Sequence, residues 1–298
     1  MGRIRPVKQN INTIPTLIPN VVLKKRETDI PHKSFSQVSL YMDCGYKYKL
    51  SYLTEHIRIP AVNLIIGSHG HKYFENILSA RLQHHDYNQT QLNDLMKNQQ
   101  NEMMKEIDKG VEEFGIKLDF QRDFIADFFI RLLEKWNVDF LPEADPVAVE
   151  AKYEITIGGE LFVAYVDLIR KLSNKQLEIV DWKWVAAKKS DFDAKASLQL
   201  SLYSYMTGIP NVNLVSMVKP KKKNNPKNWV PRVEHAKSTR GKTDHKWAEI
   251  VIMDVLEGMK VGYYPKCSPE NYLCSPLYCN GWDVCRGAIE PKSPDWLG

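Results

Sequence analysis

Apolar positions recur at helical spacing through the first half of the chain and alternate in the second. Phe35, Val38, Leu40 and Tyr41 lie on one helical stripe, and Ser34-Phe-Ser-Gln37 is a capping-box pattern that opens it, with Cys44 near its end. Gly67 precedes a second helix carrying Phe74, Ile77 and Leu78 on one side. Residues 88–110 are polar and rich in Gln, Asn, Met and Lys, and 118–137 return to helical period through Phe120, Phe124, Phe128, Leu132 and Trp136. We read 85–141 as a helical insertion that ends at Leu141-Pro142. Alternation then begins at Val147 and Val149 and continues through Tyr153, Ile155 and Ile157. Gly158-Gly159 signals a hairpin into a strand over Leu161–Ile169, and Ser173-Asn174 a turn into Leu177–Trp184. A helix over Ala196–Thr207 stops at Gly208, a strand follows over Asn213–Val218, and Thr243–Val261 is helical.

Helices, a three-strand meander, then a helix and a strand predict an α/β sandwich around a mixed central sheet flanked by helices. No linker divides the chain into independent domains. We expect an N-terminal arm over 1–30, one main domain over 31–265 that contains the insertion, and a Cys-rich C-terminal tail over 266–298. The 298 residues, 43% hydrophobic and 26% charged, fit an ordinary globular protein and exclude a disordered or low-complexity chain. No apolar run approaches a membrane span, and MGRIRPVKQN has no apolar stretch after its charges. A cytoplasmic protein without membrane contact is expected.

Charge sharpens this picture. Residues 219–246 hold ten Lys/Arg, including Lys219, Lys221, Lys222, Lys223 and Arg240, against Glu234 and Asp244, which leaves the rest of the chain slightly negative. A basic block with Trp229 and Trp247 suits a polyanion such as DNA, through phosphate contacts and base stacking. A solvated surface loop would have the same composition.

Three acidic or basic positions stand out on the strands. Asp181 and Lys183 are two apart and share a face, and the turn at 172–175 can fold Asp167 beside them. Two carboxylates and an ammonium on apolar strands cost desolvation energy unless they serve each other or a metal. Hard divalent cations such as Mg²⁺ or Mn²⁺ prefer such oxygen ligands. His71 and Glu75 are one helical turn apart, with His69 as the competing imidazole, and Gln199 and Tyr203 repeat that spacing downstream. Taken singly, each pair also fits a surface salt bridge or a half-buried helix face.

In order, Gly67-x₃-His71-x₃-Glu75, Asp167, Asp181-x-Lys183 and Gln199-x₃-Tyr203 resemble the RecB-type branch of the PD-(D/E)XK nucleases. The resemblance implies a restriction-endonuclease-like core. It implies that His71, Asp167, Asp181 and the Trp182 carbonyl bind the metal, with Glu75 as a secondary ligand. It also implies that Lys183 is the catalytic lysine, with Gln199 and Tyr203 beside it.

The five cysteines are unevenly placed: Cys44 alone, then Cys267, Cys274, Cys279 and Cys285. An odd count with this clustering argues for a metal or cluster site over disulfides. Zinc favours paired knuckles, whereas iron–sulfur clusters accept a triplet with a remote fourth thiolate. On spacing alone, Cys44 and Cys267 both remain candidates for that fourth position. RecB-type nucleases of the AddB and CRISPR-adaptation kind carry one early cysteine and three late ones around a four-iron four-sulfur (4Fe-4S) cluster. That resemblance implies Cys44, Cys274, Cys279 and Cys285 as ligands, Cys267 as a spare thiol, and a phage-encoded setting. Gly45 stands where those relatives have Pro.

These readings converge on a metal-dependent DNA nuclease, an exonuclease acting at single-stranded or duplex ends in recombination, repair or replication. The alternatives are a non-catalytic DNA-binding scaffold on the same fold, or a nuclease subunit that needs a helicase partner. A homo-oligomer or a recombination partner fits either.

Overall fold

The two glycines after Ile157 both adopt positive φ, 58° at Gly158 and 82° at Gly159, and so turn the chain tightly between β1 (Pro146–Ile157) and β2 (Glu160–Lys171). The computed structural model describes residues 32–54, 61–221, 228–276, 279 and 281–286. β3 (Leu177–Val185) returns antiparallel to β2, but only four pairs form, from Leu168↔Val180 to Lys171↔Leu177. β4 (Asn211–Val218) then lies parallel to β3, and β5 (Arg232–Thr239) antiparallel to β4, in the order β1-β2-β3-β4-β5.

Helices cover both faces. Before the sheet come α1 (Phe35–Asp43), α2 (Gly45–Leu53), α3 (Val62–Leu82), α4 (Gln89–Phe114) and α5 (Arg122–Asp139). α6 (Asp191–Ala196) and α7 (Leu198–Thr207) form the crossover from β3 to β4, and α8 (Lys242–Lys260) and α9 (Trp282–Arg286) follow the sheet. Leu168, Val180, Trp182, Val215 and Met217 bury one sheet face under α3, α4 and α5. Val166, Ile179, Leu214 and Ala236 bury the other against Leu200 and Tyr203 of α7. A further apolar cluster joins Val38 and Tyr48 to Ile252 and Leu256 of α8. The mixed sheet between helical layers is the architecture that the element order predicts.

Several local expectations change. Ser34 does cap α1 through the Gln37 N–H, but the Gln37 amide donates to the His32 carbonyl, so the box is only half closed. α3 begins at Val62, which leaves Gly67 and Gly70 inside the helix. A Cβ at Gly70 would overlap the Trp184 indole, so the glycine admits that ring. The basic block is not one loop: β5 runs through it. Arg240, 5% exposed, donates to Ser201 Oγ at 2.8 Å and to the Ala194 carbonyl, and Lys219, 8% exposed, donates to Asn63 Oδ1. Trp229 is buried against Phe124 and Phe128, with the Arg131 guanidinium over its ring, so it cannot stack on a base. Trp247 is 47% exposed. The arm at 1–30 and Lys222, Lys223 and Lys227 lie outside the described residues. No helix among those residues is long and apolar enough to cross a membrane.

Candidate active site

β2 and β3 part at the site. Their ladder ends at Leu168↔Val180. One step further, Asp167 Oδ2 accepts the Trp182 N–H at 2.8 Å, so a side chain takes over the hydrogen bond of a ladder. The gap opened there holds the carboxylates of Asp167, 9% exposed, and Asp181, 2% exposed. α3 brings His71 over the gap, with Nδ1 3.6 Å from Asp167 Oδ2. β1 supplies Glu150. The pairs Val149↔Leu168 and Ala151↔Val166 bracket Glu150 opposite Asp167, and its φ of 46° is a left-handed conformation uncommon for glutamate. Ligand atoms of His71, Glu150 and Asp167 all lie within 4.8 Å of one another.

The other half is a polar relay on β3 and α7. Lys183 Nζ lies 2.8 Å from Asp181 Oδ2 and donates to Gln199 Oε1 at 2.9 Å, and Gln199 Nε2 donates to the Tyr203 hydroxyl at 2.7 Å. Asp181 Oδ2 is buried, and the Lys183 ammonium is the charge set against it.

Electrostatics agree with the geometry. Burial, then the neighbouring Asp167 charge, pushes Glu150 up to about 7. Burial raises Asp181, with Lys183 opposing it and Asp167 adding to it. For His71, burial favours the neutral ring, but the hydrogen bond and charge of Asp167 together outweigh it and raise its value. Burial likewise works against the Lys183 ammonium, and Asp181 restores it and carries its value above the ordinary one. Tyr203 is raised chiefly by burial, so it acts as a neutral phenol. A divalent cation held by His71, Glu150 and Asp167 would add positive charge beside these carboxyls together with Lewis acidity toward phosphate.

The structure thus gathers His71, Asp167, Asp181, Lys183, Gln199 and Tyr203 around one gap. Glu75 lies outside the three-ligand group and pairs with Lys72 at 2.8 Å. His69 turns to α4, with Nδ1 3.2 Å from Gln99 and Nε2 3.0 Å from Glu106. The Trp182 ring is core, against Phe74 and Phe140. Glu150 escapes sequence reading because it stands in an alternating strand like any solvent-facing acid. Its one signal is that β1 must pair with the strand carrying Asp167.

All five cysteines line a second pocket, a cavity of about 260 Å³ with Leu50, Lys266, Trp282 and Arg286 in its wall. Cys44 caps α2, its sulfur accepting the Lys47 N–H at 3.4 Å. Gly45 is required there, since a Cβ would come within 2.6 Å of the Pro265 ring. Burial raises Cys285, with Lys266 opposing it and the neighbouring cysteines adding to it, and burial together with the nearby Cys274 and Cys44 thiols pushes Cys267 up to about 12. Tetrahedral zinc with bonds of about 2.3 Å needs sulfurs about 3.8 Å apart. Five thiols lining one pocket are a donor set that could hold zinc or an iron–sulfur cluster.

The chain belongs to the PD-(D/E)XK nuclease superfamily, whose sequence profile matches residues 32–286. Among solved structures it is similar to a "Putative exonuclease" from Eubacterium rectale, at 15% identity and a TM-score of 0.49 over 89% of this chain and 90% of that one. It is also similar to the protein SSO0001, at 16% identity and a TM-score of 0.34 over 61% of this chain and 79% of that one. No curated protein sequence matches it. Members of the superfamily generally use divalent metal ions, and His71, Glu150 and Asp167 could hold one here.

Proposed function

We propose that the protein is a Mg²⁺- or Mn²⁺-dependent exonuclease that hydrolyses DNA phosphodiesters at strand ends. The observation that carries this reading is the joint geometry at the β2–β3 gap. Three metal-type ligands converge within 4.8 Å of one another, and a lysine paired to a buried aspartate stands on the adjoining strand. His71, Glu150 and Asp167 would hold the cation, which would activate water and polarise the phosphate. Lys183, kept charged by Asp181, orients the attacking water and offsets the negative charge that grows on the phosphoryl oxygens. Gln199 and Tyr203 fix the Lys183 ammonium through two hydrogen bonds, so the charge is in place before the substrate arrives.

In the same reading, Cys44, Cys274, Cys279 and Cys285 hold a four-iron four-sulfur cluster that staples α2 to the tail, as in RecB-type nucleases. Cys267 flanks two of its ligands. The convergence of one early and three late cysteines on a single pocket supports this reading.

The test is an end-labelled DNA assay with Mg²⁺, Mn²⁺ or EDTA. Stepwise shortening with metal, none with EDTA, and none for Asp181→Ala is the expected result. Internal cuts with no dependence on an end would remove the exonuclease assignment. Cleavage unaffected by EDTA would remove the metal.

A further inference from the structure

The short helix α6 presents its one large apolar side chain to water. Phe192 is 77% exposed, the highest value among the large hydrophobic side chains described, while Ala194 of the same helix is fully buried against the sheet. A single exposed apolar residue is ordinary. This one is set on an unusually firm mount. Ser190 and Asp193 close a capping box, with the Ser190 N–H donating to Asp193 Oδ2 at 2.7 Å. Asp191 Oδ1 accepts the Lys237 N–H of β5 at 3.0 Å, and the buried Arg240 guanidinium donates to the Ala194 carbonyl. These ties fix the alanine side of the helix inward and hold Phe192 on the opposite side.

The mount lies beside the candidate active site. Lys183, Ser216 and Glu234 form one row across β3, β4 and β5. The loop leading from β3 to α6 crosses this row: the Lys189 N–H donates to Ser216 Oγ at 3.1 Å, and Lys188 Nζ is 3.8 Å from Glu234. Two strand spacings separate β3 from β5, about 10 Å. A few nucleotides of a single strand bridge that distance. Lys188, Lys195 and Arg232 lie exposed on this loop, α6 and β5, with the half-buried Lys189 among them. Of the acids there, Asp191 and Asp193 are engaged with backbone N–H groups, and Glu234 lies 3.5 Å from Arg232 as well as facing Lys188.

We propose that this loop and α6 form a binding surface for single-stranded DNA, with Phe192 as the platform on which an unpaired base stacks. The surface extends the nuclease site proposed above and rests on that reading for its direction. Cations along the path suit a phosphate backbone, and an aromatic ring among them suits an exposed base. A duplex keeps its bases stacked on one another and offers no free face to a protruding ring, which favours the single strand as occupant.

The test uses the full-length protein in EDTA, with fluorescence anisotropy of labelled oligo(dT) and of a blunt duplex of equal length. Phe192→Ala should weaken oligo(dT) binding about 5- to 150-fold, the range for loss of one base–aromatic stack, and leave duplex binding unmoved. Phe192→Trp should retain wild-type affinity. Unchanged oligo(dT) binding by Phe192→Ala, or an equal loss on the duplex, would overturn the proposal. Cleavage of the same strands with Mn²⁺ by the wild type separates the two readings. A protein that cleaves but ignores Phe192 loses only this surface. One that binds through Phe192 without cleaving loses only the nuclease assignment.

Discussion

Glu150→Gln should stabilise the metal-free protein at alkaline pH while weakening its hold on metal. The Glu150 carboxyl is half-buried beside Asp167 and raised from 4.5 to about 7. At about 1.4 kcal/mol per pH unit, that shift puts about 3 kcal/mol on its charged form. Water reaches part of the side chain, so screening lowers the expected gain to about 1–2 kcal/mol. The folded state binds the proton more tightly than the unfolded chain. Wild-type stability from this group is therefore full below pH 4.5 and falls as pH rises to about 7. The glutamine variant has no such fall. Thermal melts in EDTA should show the variant ahead by about 2–4 °C at pH 8 and level with wild type at acid pH. Added Mn²⁺ should raise the wild type more than the variant, because a cation that binds the folded state stabilises it in proportion to affinity. A variant that melts lower at pH 8 in EDTA, or by the same margin at both pH values, would refute this account of Glu150.

Gly70→Ala should cost about 1–3 kcal/mol in a urea melt and weaken Mn²⁺ binding in calorimetry, because the new methyl meets Trp184 and lifts α3, with His71, off the sheet; adding Trp184→Phe should recover part of both, and a deeper loss would contradict the fit. Arg240→Ala should lose about 1–3 kcal/mol by stranding Ser201 and the Ala194 carbonyl, whereas Lys237→Ala, on an exposed side chain, should leave the urea midpoint in place. Anaerobically purified protein should carry about four irons per chain by elemental analysis. Serine at Cys44, Cys274, Cys279 or Cys285 should abolish that content, and serine at Cys267 should preserve it; one zinc per chain instead would contradict the cluster.

What could be read from the sequence divides along physical lines. The Gly158-Gly159 hairpin and the shared face of Asp181 and Lys183 follow from local rules, a turn that needs positive φ and the two-residue period of a strand, and both are in the structure. β5 was hidden because Arg232–Thr239 is an edge strand, whose charged residues guard an open edge and break the apolar alternation. α2 was hidden by a composition, GYKYKLSYL, in which tyrosines and lysines mask the buried stripe of Tyr48 and Leu50. Trp229 looked like a DNA-stacking residue from its basic neighbours, yet Phe124 and Phe128, about a hundred positions away, bury it. Glu150 required the β1–β2 register and a left-handed residue within a strand, neither of which is local information. Cys267 likewise joined the thiol pocket only through the packing of the tail on α2.

The central claim is that one cation sits among His71, Glu150 and Asp167, next to Lys183. Crystals soaked in Mn²⁺ and measured at an energy where manganese scatters anomalously test it directly. The account predicts a difference peak bounded by the His71 imidazole and the Glu150 and Asp167 carboxylates, absent from Asp167→Asn crystals. A peak elsewhere, or one that persists in Asp167→Asn, would contradict it.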